Sequence, residues 1–232
     1  MGVVGSGTIG GPSTDDQETQ GGAPSDEPEF AEGTVARFSD STFVLTEPYE
    51  LPAQVWLMER GGEQVSRVPY DGLSFRAPLS DQPMWLAVVP EFDRTTLPTM
   101  MLWDGVDQEP RPTLAPDQML AEILGGLIYA DTLNELRAHL LVQVVAADDR
   151  VGGVAGVKPL VPGGPTLAFE ERGVWSDIDE GTGESGLFLS YNIVARALPG
   201  QDVNVTLTGT VDAEFQVRLA EGVLTMVTYE VP

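Results

Sequence analysis

Short apolar runs separated by turn-forming residues fill the first half of the chain from Gly33 onward. The runs are Thr34–Phe38, Thr42–Thr46, Gln54–Glu59, Leu73–Ala77 and Met84–Val89. Glycine, proline and aspartate stand between them, and strands punctuated about every 8–12 residues are typical of a β-sandwich or barrel. Ala53, Val55 and Leu57 take alternate positions in one run, which predicts a strand with one core face.

The second half of the chain has the same texture. It opens with two continuous apolar runs, His139–Ala146 and Val154–Val161. The remaining runs are Leu167–Glu171, Gly186–Ala195, Asp202–Thr208, Glu214–Leu219 and Val223–Val231. About seven short strands within roughly a hundred residues are what a small sandwich requires.

One stretch between the halves, Asp117 to about Arg137, has helical spacing and follows a Pro- and acid-rich connection over residues 104–117. Its apolar residues lie three and four apart and are Leu120, Ile123, Leu124, Leu127 and Ile128. Asp117 is predicted to cap the first turn. Gly125-Gly126 weakens the middle, so the pattern leaves open one short helix or two pieces.

Residues 1–32 contain no basic residue and few apolar ones. Their acids are Asp15, Asp16, Glu18, Asp26, Glu27, Glu29 and Glu32. Such a segment buries too little apolar surface to offset its ordering entropy, so a disordered tail is predicted. Two interpretations stay open: the tether of a bacterial surface lipoprotein and, for about the first dozen residues, a cloning remnant.

The pattern as a whole predicts an all-β protein of two small antiparallel β-sandwich domains. The first domain covers residues 33–110 and the second covers residues 138–232. A linker and short helix over residues 111–137 join them, and the tail precedes them.

Two segments of the second domain carry motifs beyond simple alternation. The first is residues 142–161, VQVVAADDRVGGVAGVKPLV, in which the motif consists of Gly153, Ala155, Gly156 and Val157. The second is residues 182–195, TGESGLFLSYNIVA, in which the motif consists of Thr182, Gly186, Phe188, Asn192 and Ile193. With the closing GVLTMVTYEVP, they resemble the carboxypeptidase-regulatory-like family, best over residues 138–232. The resemblance implies a transthyretin- or Ig-like sandwich.

A fainter copy of the same succession of strands and turns covers residues 33–103, where it includes EGTVARF, PAQVWLM and YDGLSFRAPL. The chain departs from the family in lacking an acid directly after Thr182 and in its long inserted helix. The residues themselves predict a positive φ at Gly186 and an inward core anchor at Phe188. Asn192 inside a strand is predicted to hydrogen-bond a neighbouring loop.

The net charge of −24 changes the range of partners. So strong a negative field repels phosphates, which excludes nucleic acid and anionic membranes as partners.

Cysteine is absent, which excludes disulfides, thiol nucleophiles and thiolate metal sites. No run approaches the roughly 20 apolar residues of a transmembrane helix. The start lacks a signal peptide, so we expect that an exported parent has had its signal removed.

Motifs for catalysis fail in their context. Residues 3–10, VVGSGTIG, match G-x-G-x-x-G, but no strand precedes them and no helical pattern follows, as a dinucleotide site requires. His139 is the only histidine, and no G-x-S-x-G supplies a nucleophile for a triad, so a core or rim histidine is predicted. Trp56, Trp85, Trp103 and Trp175 are interpreted as core or interface residues. The sequence therefore predicts no enzyme and no cofactor.

An acidic loop over residues 177–184 is the remaining candidate site. Asp177, Asp179 and Glu184 alternate with other residues and glycines, an arrangement that can wrap calcium through oxygen ligands. The EF-hand pattern fails there, because Thr182 and Phe188 stand where its glycine and bidentate acid belong. A solvated hairpin loop is the alternative interpretation.

Two functions lead, and an enzyme that acts through paired carboxylates ranks a distant third because such acids have no fixed spacing in a sequence. The first is a non-enzymatic extracellular or cell-surface binding or adhesion protein, tethered through its acidic tail. Its partner would be a protein or carbohydrate of the cell envelope. The second is a structural subunit of a fibre, surface appendage or phage particle. Such a subunit would self-assemble by adding its N-terminal segment to a neighbour's sheet.

Overall fold

The computed structural model describes residues 29–39, 45–61, 65–104, 109–127, 133–134, 136–147, 149–164, 166–178 and 181–231. Within them the chain forms nineteen strands and one helix. The first half contains β1 (Phe30–Gly33), β2 (Ala36–Phe38), β3 (Thr46–Pro48), β4 (Ala53–Glu59), β5 (Val65–Tyr70), β6 (Phe75–Pro78), β7 (Met84–Pro90), β8 (Thr96–Leu97), β9 (Thr99–Trp103), β10 (Thr113–Pro116) and the helix α1 (Asp117–Gly125). The second half contains β11 (Ala138–Ala146), β12 (Asp149–Gly153), β13 (Val157–Leu160), β14 (Thr166–Glu171), β15 (Val174–Ser176), β16 (Leu187–Ile193), β17 (Gln201–Gly209), β18 (Ala213–Leu219) and β19 (Leu224–Val231).

The largest sheet runs through both halves of the chain. Its order is β15-β14-β16-β11-β19-β9-β7-β4-β5, with β12 paired to β11. The final strand, β19, lies between β11 and β9 and is parallel to both. On the β9 side, Leu224 is opposite Thr99 and Met226 is opposite Met101. The predicted all-β class is confirmed, but the sheet is mixed instead of purely antiparallel. The division into two domains stays a prediction, since one hydrogen-bonded sheet joins both regions.

Both faces of this sheet are packed, which explains the continuous apolar run of β11. Leu140, Val142 and Val144 belong to the core on one face, which we call the sandwich face. Leu141 belongs to the core on the opposite face, which we call the helix face because α1 packs there. Side chains of successive strand residues point to opposite faces, so one strand serves two cores.

Smaller sheets and the helix cover these faces. The three-stranded sheet β13-β17-β18 packs on the sandwich face through residues such as Leu207 and Val217. On the helix face, β1-β6 and β3-β2-β10-β8 cover the first half, where Phe75 and Leu114 join its core. The helix covers part of the second half, where Leu120 is fully buried.

Helix α1 is shorter than predicted, because it ends at Gly125 instead of near Arg137. Gly126 follows it, and its N–H bonds to the Ile123 carbonyl at 3.2 Å. Two successive glycines raise the entropic cost of continuing the helix, which explains the early end. At the start, Pro116 holds the N-cap position without a side-chain cap. Asp117 was predicted to be the cap but lies inside the first turn, where its carboxylate accepts the Gln118 N–H at 2.6 Å.

Strands occur inside two segments that the sequence assigned to the tail and the linker. The predicted tail ended at Glu32, but its last residues form β1, which pairs with β6. The Phe30 ring lies under the Arg76 guanidinium at 4.5 Å, so backbone pairing and this contact order an acid-rich stretch. The predicted linker contains β10, whose Leu114 and Ala115 are fully buried. Residues 1–28, with the G-x-G-x-x-G match, and most of the predicted strand Thr42–Thr46 lie outside the described residues.

Candidate binding groove

An open groove of about 770 Å³ lies on the helix face of the largest sheet. Its apolar side chains come from four strands of that sheet and from β2, and include Phe38, Met101, Leu141, Leu187 and Met226. A few polar residues interrupt this lining, namely Thr113, Gln143, Glu170, Ser185 and Thr228. A groove of this volume with a mostly apolar lining and few polar groups is typical of a ligand site.

The groove exists because cover on the helix face ends partway along the strands. On β19, three alternate residues show the gradient, since Leu224 is buried, Met226 is half-buried and Thr228 is exposed. A nine-residue helix spans only ~14 Å, so α1 cannot cover the whole sheet face. Apolar side chains that would otherwise complete a core are therefore left accessible.

Glu170 stands at one end of the groove and is the most buried acid among the described residues, with 7% of its surface exposed. Its carboxylate accepts the backbone N–H of Gly173 in the tight turn between β14 and β15. Arg172 lies in the same turn, but pairs with Glu184 at 3.5 Å. Within the described part of the chain, no cation pairs with the Glu170 carboxylate.

His139 is fully buried on the helix face, as the core interpretation predicted. The backbone N–H of Asn192 donates to its Nδ1 at 3.4 Å, so Nε2 carries the proton. Among the described residues Nε2 has no hydrogen-bond partner. Burial lowers the pKa of His139 to about 4, although the nearby backbone of Asn134 opposes this effect. The imidazole is therefore neutral at physiological pH.

Asn192 has the structural role predicted for it. Its Oδ1 accepts the backbone N–H of Asn134 at 2.9 Å, which ties the connection before β11 to the end of β16. Its backbone takes a positive φ of 59°, a conformation that asparagine tolerates better than most residues. The predictions for Gly186, with φ of 68°, and for fully buried Phe188 are also confirmed.

Thr182 and its loop are held by a local network. The Thr182 hydroxyl donates to the Val154 carbonyl at 2.6 Å and accepts the Val157 N–H at 3.0 Å. The predicted calcium ligands are not assembled by any described contact. Asp179 lies outside the described residues, and exposed Glu184 faces Arg172. Among the described residues no cluster of three metal-ligating side chains occurs, and the site at Asp177, Asp179 and Glu184 stays a prediction.

The tryptophans lie where the sequence predicted. Trp85, Trp103 and Trp175 are buried, and Trp56 is half-buried with the Arg67 guanidinium 3.6 Å from its ring centroid. The groove itself was not predicted. Its residues lie in apolar strands, and the pattern could not distinguish a covered position such as Leu224 from an uncovered one such as Met226. The isolated acid in LAFEE, Glu170, was the one available signal.

Comparisons with known proteins give no family. No protein-family model matches the chain, and no curated protein does either. Among solved structures, the Bacillus anthracis TIE protein aligns at 11% identity and a TM-score of 0.25. That alignment covers 87% of this chain and 33% of the other, so this chain spans about a third of that protein.

Two further structures align at similar levels. The shaft pilin spaA of Lactobacillus rhamnosus GG aligns at 10% identity and a TM-score of 0.25, covering 88% of this chain and 98% of the pilin. The RrgB pilus protein of Streptococcus pneumoniae aligns at 10% identity and a TM-score of 0.21, covering 89% of this chain and 48% of that protein. TM-scores this low carry no functional argument. Within the described residues, no helix has the length and apolar character needed to cross a membrane.

Proposed function

We propose that this chain is a non-enzymatic β-sandwich binding module that holds its partner in the groove on the helix face. The groove carries the proposal, because its volume of about 770 Å³ and its mostly apolar lining are typical of a ligand site, and covering its accessible apolar side chains with a partner is favourable. The apolar side chains of its lining supply contact area, and its few polar groups supply orientation.

The apolar lining favours a protein partner over a carbohydrate. Sugar-binding surfaces use polar groups and aromatic rings, whereas the aromatic ring in the described lining is Phe38 alone. The acidic tail and the net charge of −24 support a solubilised, tethered protein at the cell surface or outside the cell. The carboxypeptidase-regulatory-like resemblance of residues 138–232 is part of the same proposal.

The alternative, a fibre or appendage subunit, is supported by β1. This strand is the first described element and includes the last residues of the predicted tail, and among the described residues β6 is its one partner strand. An edge of this kind can accept a strand from a neighbouring molecule. Mass in solution separates the two functions, measured by light scattering on a sizing column with calcium and then with a chelator. A monomer supports the binding module, whereas open-ended assembly supports the subunit.

The groove itself is tested with the neutral apolar fluorophore N-phenyl-1-naphthylamine, whose emission rises in apolar surroundings. We expect saturable binding to the whole chain and loss of binding in Thr228→Phe, which fills the groove. Asn204→Phe adds the same ring at an exposed position of β17 and should leave binding unchanged. No saturable binding, or equal loss in both variants, contradicts the proposal.

A further inference from the structure

We propose that the groove takes a short extended peptide segment of a partner protein that carries a lysine or arginine beside apolar residues. The cation of that residue pairs with Glu170, and the apolar residues lie along the floor. This inference rests on the proposed function and adds the chemistry of the partner.

The dimensions of the groove favour an extended segment. Its lining runs from Glu170 on β14 across β16, β11 and β19 to Met101 on β9, which are neighbours in that order. Four spacings between neighbouring strands amount to ~19 Å. An extended chain rises ~3.3 Å per residue, so five or six residues span this distance. A compact ligand would fill one end of the groove only.

The buried carboxylate favours a cation at one end. Glu170 is 7% exposed, and the Gly173 N–H is the hydrogen-bond donor that the described residues give to its carboxylate. A carboxylate accepts about four hydrogen bonds when all its lone pairs are used. Withdrawing it from water is costly unless a cation or further donors approach. Among the described side chains no cation pairs with Glu170, so a cation of a partner can take this place.

Charge also argues against the other occupants of the groove. Residues 1–28 of the chain itself have five acids and no basic residue, so they would place carboxylates beside Glu170. A second copy carries the same net charge of −24 and brings 12 basic residues against 36 acidic ones. A cationic partner instead gains from the field of the whole protein, which raises its rate of association.

The test compares three peptides that differ at one residue. The probes are acetyl-Lys-Leu-Ser-Leu-Phe-amide and its counterparts with Gln or Glu in first place. Their affinities are measured on the full chain by displacement of N-phenyl-1-naphthylamine. We expect the Lys peptide to bind about tenfold more tightly than the Gln peptide, as a charge-assisted hydrogen bond in a partly desolvated site predicts. The Glu peptide should be the weakest.

Glu170→Gln isolates the carboxylate, because the amide keeps the shape and can still accept the Gly173 N–H. Glu171→Gln is the matched control, since it removes the same charge one residue along β14, at an exposed side chain on the opposite face. We expect Glu170→Gln to abolish the preference for Lys over Gln and Glu171→Gln to retain it. If Glu170→Gln fails to fold, the ranking of the three peptides on the unmodified chain decides the inference.

Four outcomes overturn the inference. They are equal affinity for the three peptides, equal loss of preference in both variants, no displacement by any peptide, and doubling of mass with loss of fluorophore binding at high protein concentration. The last outcome assigns the groove to a second copy. Failure of the inference alone leaves fluorophore binding and its loss in Thr228→Phe intact, whereas failure of the proposed function removes both.

Discussion

The burial of His139 predicts that this one residue destabilises the fold as the solution becomes acidic. Its folded-state pKa is lowered from 6.5 to about 4 by burial. Between these two values, the unfolded chain binds a proton on His139 and the folded chain does not. Protonation therefore favours unfolding, and the contribution of His139 to stability falls as the pH falls through this range. Above ~pH 7 the effect vanishes, because the imidazole is neutral in both states.

The magnitude follows from the two pKa values. The difference between the folded-state and unfolded-state pKa corresponds to a loss of ~3 kcal/mol in the free energy of unfolding. This full loss is reached only at pH values below the folded-state pKa. Between about pH 7.5 and about pH 5 the linkage relation gives a loss of ~2 kcal/mol. The 36 acidic residues have the opposite effect, since their partial neutralisation relieves the self-repulsion of a chain with net charge −24. The contribution of His139 must therefore be measured as a difference between two proteins.

The variant is His139→Gln, with His139→Leu as a second non-titrating replacement. Urea unfolding followed by tryptophan fluorescence gives the free energy of unfolding at each pH. We expect the free energy of the parent minus that of either variant to fall by ~2 kcal/mol between about pH 7.5 and about pH 5. Because His139 is the only histidine, an NMR titration of its ring protons reports the folded-state pKa without assignment.

A constant difference across this pH range would refute the reasoning, as would a ring titration near 6.5 in the folded protein. Either result would mean that the imidazole is solvated or paired with an acid in solution. A difference that rises on acidification would show that the protonated form is the one the fold favours.

Three further predictions concern stability, each measured by urea unfolding. Gly186→Ala should lower the free energy of unfolding by more than ~2 kcal/mol, because φ is 68° and a Cβ would collide with the Val144 carbonyl. Gly125→Ala, where a Cβ meets open space, should leave the free energy of unfolding unchanged or raise it. Equal effects of the two substitutions would refute the steric argument. Thr182→Val should lower the free energy of unfolding by about 1–3 kcal/mol, because it leaves the Val154 carbonyl and the Val157 N–H unpaired. Thr182→Ser keeps the hydroxyl and should retain most of this stability. A Ser variant as unstable as the Val variant would contradict the hydrogen-bond role. Asp202→Asn should lower the free energy of unfolding by ~2 kcal/mol or more, since it leaves the buried Arg218 guanidinium without its carboxylate at 2.8 Å. Glu47→Gln, at the more exposed pair with Arg37, should lower it by less than ~1 kcal/mol. A larger effect of Glu47→Gln than of Asp202→Asn would count against burial as the cause.

Local patterns predicted the strands and several single residues correctly. Alternation located β4, turn chemistry located Gly186, and propensity singled out Asn192 as a residue with a structural task. These features depend on neighbours within a few positions, which a sequence displays directly. The early end of α1 also had a local signal, the pair Gly125-Gly126, although the periodicity beyond it favoured a longer helix.

Features that depend on distant pairing could not be predicted. The parallel pairing of β19 with β9 brings Met226 beside Met101, and nothing near either residue indicates that partner. The strand β10 lies in a Pro- and acid-rich stretch and is ordered by β2 and β8. The groove depends on which parts of the helix face remain uncovered, so the sequence marks Leu187 as core and gives no sign that it is accessible.

The most direct test of the account is to locate a bound peptide through the seven methionines of the chain. Methionine methyl groups are labelled with carbon-13, and their NMR shifts are followed as acetyl-Lys-Leu-Ser-Leu-Phe-amide is added. We expect saturable changes at Met101 and Met226, which line the groove, and none at the buried Met58 and Met84. Changes confined to methionines outside the groove, or no saturable change at all, would contradict it.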